Sequence, residues 1–131
     1  MKYVFVFLFA ALLVNCGDDA SSEKQVQTRF HADETDFKKD GKIVRIRSNN
    51  KPLTGVVFMK YDNGQLAYER NFKDGLLDGL SKSWYENGQL SSEGSFKKDQ
   101  LNGVVRAWFR DGGLEYDRFY EKGICIRGGP Q

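Results

Sequence analysis

The presence of a single histidine is the strongest limit on the catalytic and metal sites that this sequence could form. The chain has 131 residues with one histidine, His31, and two cysteines, Cys16 and Cys125. A Ser-His-Asp or Cys-His pair needs a histidine beside a nucleophile, and a zinc site needs several His or Cys ligands. This inventory supplies neither set, so we expect a chain that is not an enzyme and that takes no metal and no cofactor.

Three carboxylates at equal spacing are the other candidate for chemistry. Glu69, Glu93 and Asp117 recur every 24 residues. In an antiparallel sheet such positions lie two strands apart, about 9 to 10 Å, with Lys82 and Arg106 facing two of them. Acid/base catalysis is one interpretation of this column, and the sequence favours the other, a series of cross-strand ion pairs.

Composition indicates a strand-rich protein with no bias toward nucleic acid. The net charge is +2, from 20 basic and 18 acidic residues, so no large field of one sign favours an anionic polymer. The chain has 10 Phe, 6 Tyr and 2 Trp, and it has 14 Gly but only 2 Pro. Aromatic residues are enriched in strands and glycine in turns.

An internal repeat decides the fold class. Gly55, Gly79 and Gly103 are 24 residues apart, and the segments between them align without a gap. Each unit then carries, in order, an aromatic residue, an Asn-Gly or Asp-Gly pair, a leucine, an acid and a second aromatic residue. The members are Tyr61, Tyr85 and Phe109; Asn63-Gly64, Asn87-Gly88 and Asp111-Gly112; Leu66, Leu90 and Leu114; Glu69, Glu93 and Asp117; and Phe72, Phe96 and Tyr120.

Each unit is predicted to be one β-hairpin. Asn-Gly or Asp-Gly between two alternating runs favours a two-residue type I′ turn, in which both central residues have positive φ. A two-residue loop at Asn87-Gly88 would place Tyr85 opposite Leu90, Trp84 opposite Ser91 and Lys82 opposite Glu93. The same register places Arg106 opposite Asp117, and opposite charges in matching positions support it.

This register divides the side chains between two faces. On one face the second aromatic residue of each unit stands opposite the repeated glycine, which would give its ring room over bare backbone. The predicted buried face carries Val57, Met59, Tyr61, Leu66, Tyr68, Phe72, Tyr85, Leu90, Phe96, Val105, Ala107, Phe109, Leu114, Tyr116 and Tyr120. The other, mixed face carries Val56, Phe58, Lys60, Leu80, Lys82, Trp84, Glu93, Val104, Arg106, Trp108 and Asp117.

The motif of these units resembles the bacterial variant of the MORN repeat. Residues 79–96 carry the pattern Gly-x-x-x-x-Trp-Tyr-x-Asn-Gly-x-Leu-x-x-Glu-Gly-x-Phe, and residues 50–55 resemble the start of such an array. The resemblance covers roughly residues 37–123 and departs from the pattern at Asp99-Gln100 and at Gly113. It implies an all-β, elongated single antiparallel sheet that binds or scaffolds, in a family that includes antitoxin-labelled and membrane-associated proteins.

The N-terminus is predicted to be an export signal. Lys2 precedes an apolar run from Tyr3 to Val14, which is shorter than the about 20 residues of a membrane-spanning helix. Leu13-Val14-Asn15-Cys16 resembles a bacterial lipobox, which implies a signal peptide over 1–15 and lipidation of Cys16. Ordinary secretory cleavage, with Cys16 incidental, is the alternative. We expect a lipoprotein anchored in the cell envelope, at the outer membrane on its periplasmic or surface side, or a secreted chain if no lipid is attached.

The remaining chain divides into a tether, a cap, an array and a tail. Residues 16–36 are predicted to be a polar tether, with a short helix folded over the apolar face as the alternative. Residues 37–127 are the repeat domain, with units starting near 55, 79 and 103, a degenerate cap over 37–54 and a tail at 128–131. Cys125 lies between Ile124 and Ile126, and we expect a buried strand residue there, with a reactive thiol as the alternative.

The candidate binding face is an aromatic and cationic stripe. Trp84 and Trp108 recur at the repeat spacing, and tryptophan and arginine are the residues that most often carry interface energy. Coverage of a thin sheet is the structural interpretation of the same rings. The stripe comprises Trp84, Trp108, Lys82, Arg106, Lys60 and Phe58. The predicted function is a non-enzymatic envelope module that binds a protein or an envelope component, and the alternative is an antitoxin that blocks a toxin surface.

Overall fold

A computed structural model of the protein describes residues 27–37 and 43–128, and the predicted signal peptide and Cys16 lie outside these residues. The described chain is built almost entirely of strands. They are β1 (Arg29–His31), β2 (Thr35–Phe37), β3 (Val44–Ile46), β4 (Gly55–Lys60), β5 (Leu66–Lys73), β6 (Leu76–Trp84), β7 (Leu90–Lys97), β8 (Gln100–Trp108), β9 (Leu114–Glu121) and β10 (Ile124–Arg127). The only helical segment among them is a single 3₁₀ turn, Ala32–Glu34.

One sheet of eight strands contains the whole repeat array. Its order is β1-β4-β5-β6-β7-β8-β9-β10, and every pair is antiparallel except β1 with β4. Consecutive strands are therefore neighbours, as tandem hairpins require, and the predicted all-β fold class is confirmed. The predicted pairs Lys82 with Glu93 and Arg106 with Asp117 are also confirmed.

The turns at Asn-Gly and Asp-Gly are not of the predicted type. In the second unit Gly88 N–H donates to the Tyr85 carbonyl at 2.9 Å, and Gly88 alone in this turn has positive φ, +83°. Asn87 has negative φ, and its Oδ1 accepts from Gln89 N–H at 3.0 Å. This is a type I turn followed by a left-handed glycine, a three-residue loop, and the other two units have the same bonds.

Type I′ turns occur instead at the opposite ends of the strands. Asp74-Gly75, Lys98-Asp99 and Lys122-Gly123 join β5 to β6, β7 to β8 and β9 to β10, and both residues of each pair have positive φ. Asp99 is the departure from the repeat pattern noted in the sequence, and it adopts φ +66°. Its Oδ1 accepts from Leu77 N–H at 2.6 Å, which binds this turn to the previous unit.

The longer loop shifts the register by one residue near each Asn-Gly turn. Trp84 pairs with Leu90 and not with Ser91, and a bulge separates this pair from Ser83 with Ser92. The predicted pair of Tyr85 with Leu90 is therefore wrong. A shift by one residue moves a side chain to the other face of the sheet. The repeated leucine of each unit therefore does not lie on the predicted buried face. The observed pairs are Leu66 with Lys60, Leu90 with Trp84, and Leu114 with Trp108.

The repeated glycines do stand opposite the aromatic residues, but the reason for glycine differs from the prediction. Gly79 pairs with Phe96, as predicted, and has φ +112° where β6 departs from regular pairing with β5. A Cβ there would lie 3.1 Å from Asn71 Cβ, and no atom of Phe96 is among its nearest neighbours. Glycine is needed for the backbone of the bulge and for the close approach of Asn71.

A small second sheet covers one end of the array. Strands β2 and β3 pair antiparallel, and Val44 of β3 packs with Leu53, Val57 and Phe72. Leu53 and Val57 are the most buried large side chains, with 0% and 1% exposure. We call the face of the large sheet that carries Val57, Phe72 and Phe96 the cap-side face. The described part of the predicted cap over 37–54 thus packs on the array, and residues 38–42 of it lie outside the described residues.

Part of the predicted tether is ordered. Arg29–His31 form an edge strand parallel to β4, and a capping box at His31 and Glu34 closes the 3₁₀ turn that leads into β2. The tether prediction is therefore wrong for residues 27–36, where Phe30 packs against the core of the cap. Residues 16–26 of the predicted tether lie outside the described residues.

The C-terminal end of the sheet is exposed. Cys125 is an exposed free thiol in β10, so its predicted burial is wrong, because β10 is an edge strand of the sheet and all four of its residues are exposed. Ile124 and Ile126 are 66% and 57% exposed. Three other residues predicted to be buried are also exposed: Met59, Phe109 and Leu114.

Candidate binding surface

The face opposite the cap carries a row of alternating charges. This face, which we call the ion-pair face, includes Glu69, Lys82, Glu93, Arg106 and Asp117, each paired in register with the next. Arg106 donates to Asp117 at 3.0 Å and to Glu93 at 3.3 Å. The three carboxylates are therefore members of a cross-strand row of charges, and Arg106 makes the predicted ion pairs with two of them. Lys82 makes no ion pair within the described ranges, and Glu69 pairs with Arg29 instead.

The ion pairs keep Arg106 charged. Hydrogen bonding and charge attraction from Asp117, with a smaller contribution from Glu93, raise the pKa of Arg106 above its ordinary value. A raised pKa stabilises the folded state at every pH below the ordinary arginine value, and the effect is lost only as the pH rises through the raised pKa. The guanidinium is therefore a fixed positive charge between two carboxylates.

The two tryptophans of the predicted stripe, Trp84 and Trp108, lie beside this row of charges. Each lies two residues along its strand from a member of the charge row, Lys82 or Arg106. The register places Leu90 opposite Trp84 and Leu114 opposite Trp108, so apolar neighbours separate the rings. Both Trp side chains are half-buried, and Leu80 and Leu114 on the same face are 40% and 36% exposed.

At its N-terminal end the ion-pair face becomes a shallow depression of about 650 Å³. Phe58, Lys60 and Leu66 line it, together with Arg29 of β1. The guanidinium of Arg29 lies 5.2 Å from the centre of the Phe58 ring and also pairs with Glu69. The structure therefore brings all six predicted residues to one face, with Phe58 and Lys60 at one end and the Trp stripe at the other.

Sequence reasoning missed the bonds that hold neighbouring units together. Tyr61 hydroxyl donates to the Trp84 carbonyl at 2.7 Å, and Tyr85 hydroxyl donates to the Trp108 carbonyl at 2.9 Å. The sequence did carry a signal for these bonds. Tyrosine recurs at this position in the first two units, and the last unit has Phe109, which has no hydroxyl to donate. These bonds fix the backbone of both Trp residues, so the stripe is held by the unit before it.

Neither a metal cluster nor a spanning helix is found in the part of the chain that the structure describes. No group of three or more His, Cys, Asp or Glu side chains in these ranges could hold a metal ion. No helix within them is long and apolar enough to cross a membrane.

Comparison with known proteins gives one match. The geometry defines a repeat protein of tandem β-hairpins in one sheet. Residues 53–74 and 77–98 match the family model described as MORN repeat variant, so the resemblance seen in the sequence is confirmed for these two units. Such repeats are generally associated with membrane or protein binding. No curated protein and no solved structure matches the chain.

Proposed function

We propose that this protein is a lipid-anchored, non-enzymatic module of the cell envelope that binds a protein or an envelope component through its ion-pair face. The observation that carries the proposal is the pair of tryptophans, Trp84 and Trp108, repeated at the unit spacing beside Lys82 and Arg106 on one face of the sheet. Tryptophan and arginine are enriched at the centres of protein interfaces, and this stripe carries two tryptophans beside Arg106. The general association of these repeats with binding supports the same conclusion.

The binding surface is tested by removing both rings. In the double variant Trp84→Ala, Trp108→Ala, we expect the β-sheet circular dichroism to remain and the crosslinked partner to disappear from intact cells, as read by mass spectrometry. Ile126→Ala is the matched control, because Ile126 is 57% exposed on the edge strand and lies outside the stripe. Loss of the circular dichroism signal would assign the rings to folding, and an unchanged crosslink would exclude the stripe as the binding surface.

The anchor is tested separately. Several covalently bound acyl chains would hold the protein on a membrane, since each buried methylene contributes about 0.8 kcal/mol. The Cys16→Ser variant should lose incorporation of labelled palmitate and move from the membrane fraction to the soluble fraction. Retention of both properties in the variant would contradict lipidation at Cys16. A small toxin recovered as the crosslinked partner would favour the antitoxin alternative.

A further inference from the structure

The middle unit differs from its neighbours at two positions of the cap-side face. Val57 and Val105 occupy one position in the outer units, where the middle unit has Ser81. The outer units have tyrosine at the second position, Tyr68 and Tyr116, where the middle unit has Ser92. The centre of the face therefore lacks two large side chains that the repeat supplies on either side.

This loss opens a trough of about 390 Å³. Its floor is formed by Ser81, Ser83, Ser92 and Gly94 on strands β6 and β7. The hydroxyl oxygen of Ser81 is shielded from solvent and has no hydrogen-bond partner among the described residues. The other lining residues are Leu77, Phe96, Leu101, Val105, Arg70, Tyr116 and Glu93. The carboxylate of Glu93 lies on the ion-pair face, where it accepts from Arg106.

Cations stacked on tyrosines flank the trough. The guanidinium of Arg70 lies 4.5 Å from the centre of the Tyr68 ring, and that of Arg118 lies 4.6 Å from the centre of the Tyr116 ring. The two arginines belong to one cross-strand row, four strands apart, or roughly 19 Å at the usual strand spacing.

The two faces of the sheet carry different charges near the trough. The cross-strand row that contains Arg70 and Arg118 lies on the cap-side face. Each carboxylate of the column Glu69, Glu93 and Asp117 is next in sequence to a residue of that row, so the column lies on the ion-pair face. No carboxylate of the described residues lies within ion-pair distance of Arg70 or Arg118. The cap-side face thus offers two cations that nothing in this part of the chain neutralises.

The cap shows what can lie on this face. One unit earlier, the extended strand β3 packs Val44 and Ile46 against Val57, Tyr68 and Phe72. The trough begins at Leu77, which contacts the same cluster, and continues to the equivalent residues Phe96 and Leu101. An extended chain beside β3 would therefore meet the next unit of the same surface, with small side chains below it and arginines at its sides.

We propose that the trough binds an extended acidic peptide segment of a partner protein. Its carboxylates pair with Arg70 and Arg118, and an apolar side chain packs on Phe96 and Leu101. Arginine favours carboxylates because its planar fork can donate two parallel hydrogen bonds. This site lies on the face opposite the tryptophan stripe and does not depend on the function proposed above.

The test uses the purified full chain and a fluorescein-labelled octapeptide of alternating glutamate and valine, with the lysine-valine peptide as the charge control. Fluorescence anisotropy should show binding of the acidic peptide only. The double variant Arg70→Gln, Arg118→Gln should weaken binding roughly tenfold or more, because both charge pairs are lost. Arg110→Gln is the matched control, since Arg110 also stacks on a tyrosine, Tyr85, but lies at a turn outside the trough.

A second variant fills the trough. Ser92→Tyr restores the residue of the outer units and should abolish peptide binding while the circular dichroism spectrum is retained. If Ser92→Tyr does not fold, the arginine variant decides. Equal binding by the wild type and the arginine variant would overturn the proposal. A wild-type chain that does not bind the peptide would also overturn it. In that case the occupant would be a membrane if Ser92→Tyr abolishes binding to phosphatidylglycerol vesicles. It would be a second copy of this chain if Ser92→Tyr abolishes self-association in analytical ultracentrifugation. The Trp84→Ala, Trp108→Ala variant should bind the peptide normally, so failure of this site and failure of the ion-pair face are distinguishable.

Discussion

At the scale of single residues, backbone conformation explains the repeated glycines better than side-chain packing does. Gly79 and Gly103 have φ of +112° and +115°, and a Cβ on either would lie 3.1 Å from a neighbouring Cβ. Few L-residues adopt such φ values without strain. The glycine is therefore a requirement of the bulged strand, which the sequence signalled by recurrence alone.

Replacing Gly79 by alanine should destabilise the protein. We expect Gly79→Ala to lower the free energy of unfolding by about 1 to 3 kcal/mol, measured by urea denaturation, because of the strained φ. Gly94→Ala is the matched control: its φ is not positive, and its nearest contact would be an ordinary 3.5 Å to Phe96. Equal losses for the two variants would contradict a backbone origin for the repeated glycine.

At the scale of elements, the turns show where sequence reasoning succeeded and where it failed. The Asn-Gly pairs correctly predicted that the chain reverses there, and Lys82 with Glu93 correctly fixed the register along most of the hairpin. The turn type was wrong because Asn-Gly also suits a type I turn with a left-handed glycine, and the two loops differ by one residue. That one residue moved three leucines to the other face.

The Lys98-Asp99 turn provides a test at this scale. Asp99 has φ +66° and accepts a hydrogen bond from Leu77 N–H at 2.6 Å. Asp99→Ala removes the acceptor and places alanine in the left-handed region, so the free energy of unfolding should fall by about 1 to 3 kcal/mol in urea.

Asp99→Asn separates the two causes from a simple loss of charge. Asparagine tolerates the left-handed region and keeps an oxygen acceptor, so this variant should change stability by less than about 0.5 kcal/mol. A loss in Asp99→Asn as large as in Asp99→Ala would show that charge, and not turn geometry, determines the effect.

The residues of the candidate site that recur in successive repeat units could be predicted from the sequence. Trp84, Trp108, Lys82 and Arg106 were found because the unit spacing places them on one face. Arg29 was missed because its neighbours in the sequence have no periodicity, and only pairing of β1 with β4 brings it to Phe58. The trough was missed because it is defined by what the middle unit lacks.

At the scale of the whole molecule, the core is concentrated at one end. The buried cluster of Val44, Leu53, Val57 and Phe72 lies under the cap, whereas all four residues of β10 are exposed. A sheet of this kind is stabilised by contacts between neighbouring units, and its free end has a neighbour on one side only. We therefore expect stability to decrease from the cap toward β10.

Equivalent leucines two units apart test this gradient. Leu53 and Leu101 occupy the same unit position, and the carbonyl of each accepts a hydrogen bond from the following turn at 2.8 Å. Leu53 is 0% exposed, so Leu53→Ala should cost about 2 to 5 kcal/mol in urea denaturation. Leu101 is only half-buried, and Leu101→Ala should cost roughly half as much or less. The reverse order would contradict a core under the cap.

The most direct measurement is site-specific photo-crosslinking in intact cells. A benzophenone amino acid replaces one of two exposed leucines of the ion-pair face, Leu114 opposite Trp108 or Leu80 four residues before Trp84. The control position is Met59, which is 37% exposed on the cap-side face opposite Tyr68. If the ion-pair face binds a partner, positions 80 and 114 should give the same crosslinked product and position 59 should not. Crosslinks of equal yield at all three positions, or none at positions 80 and 114 in a folded chain, would contradict binding through this face.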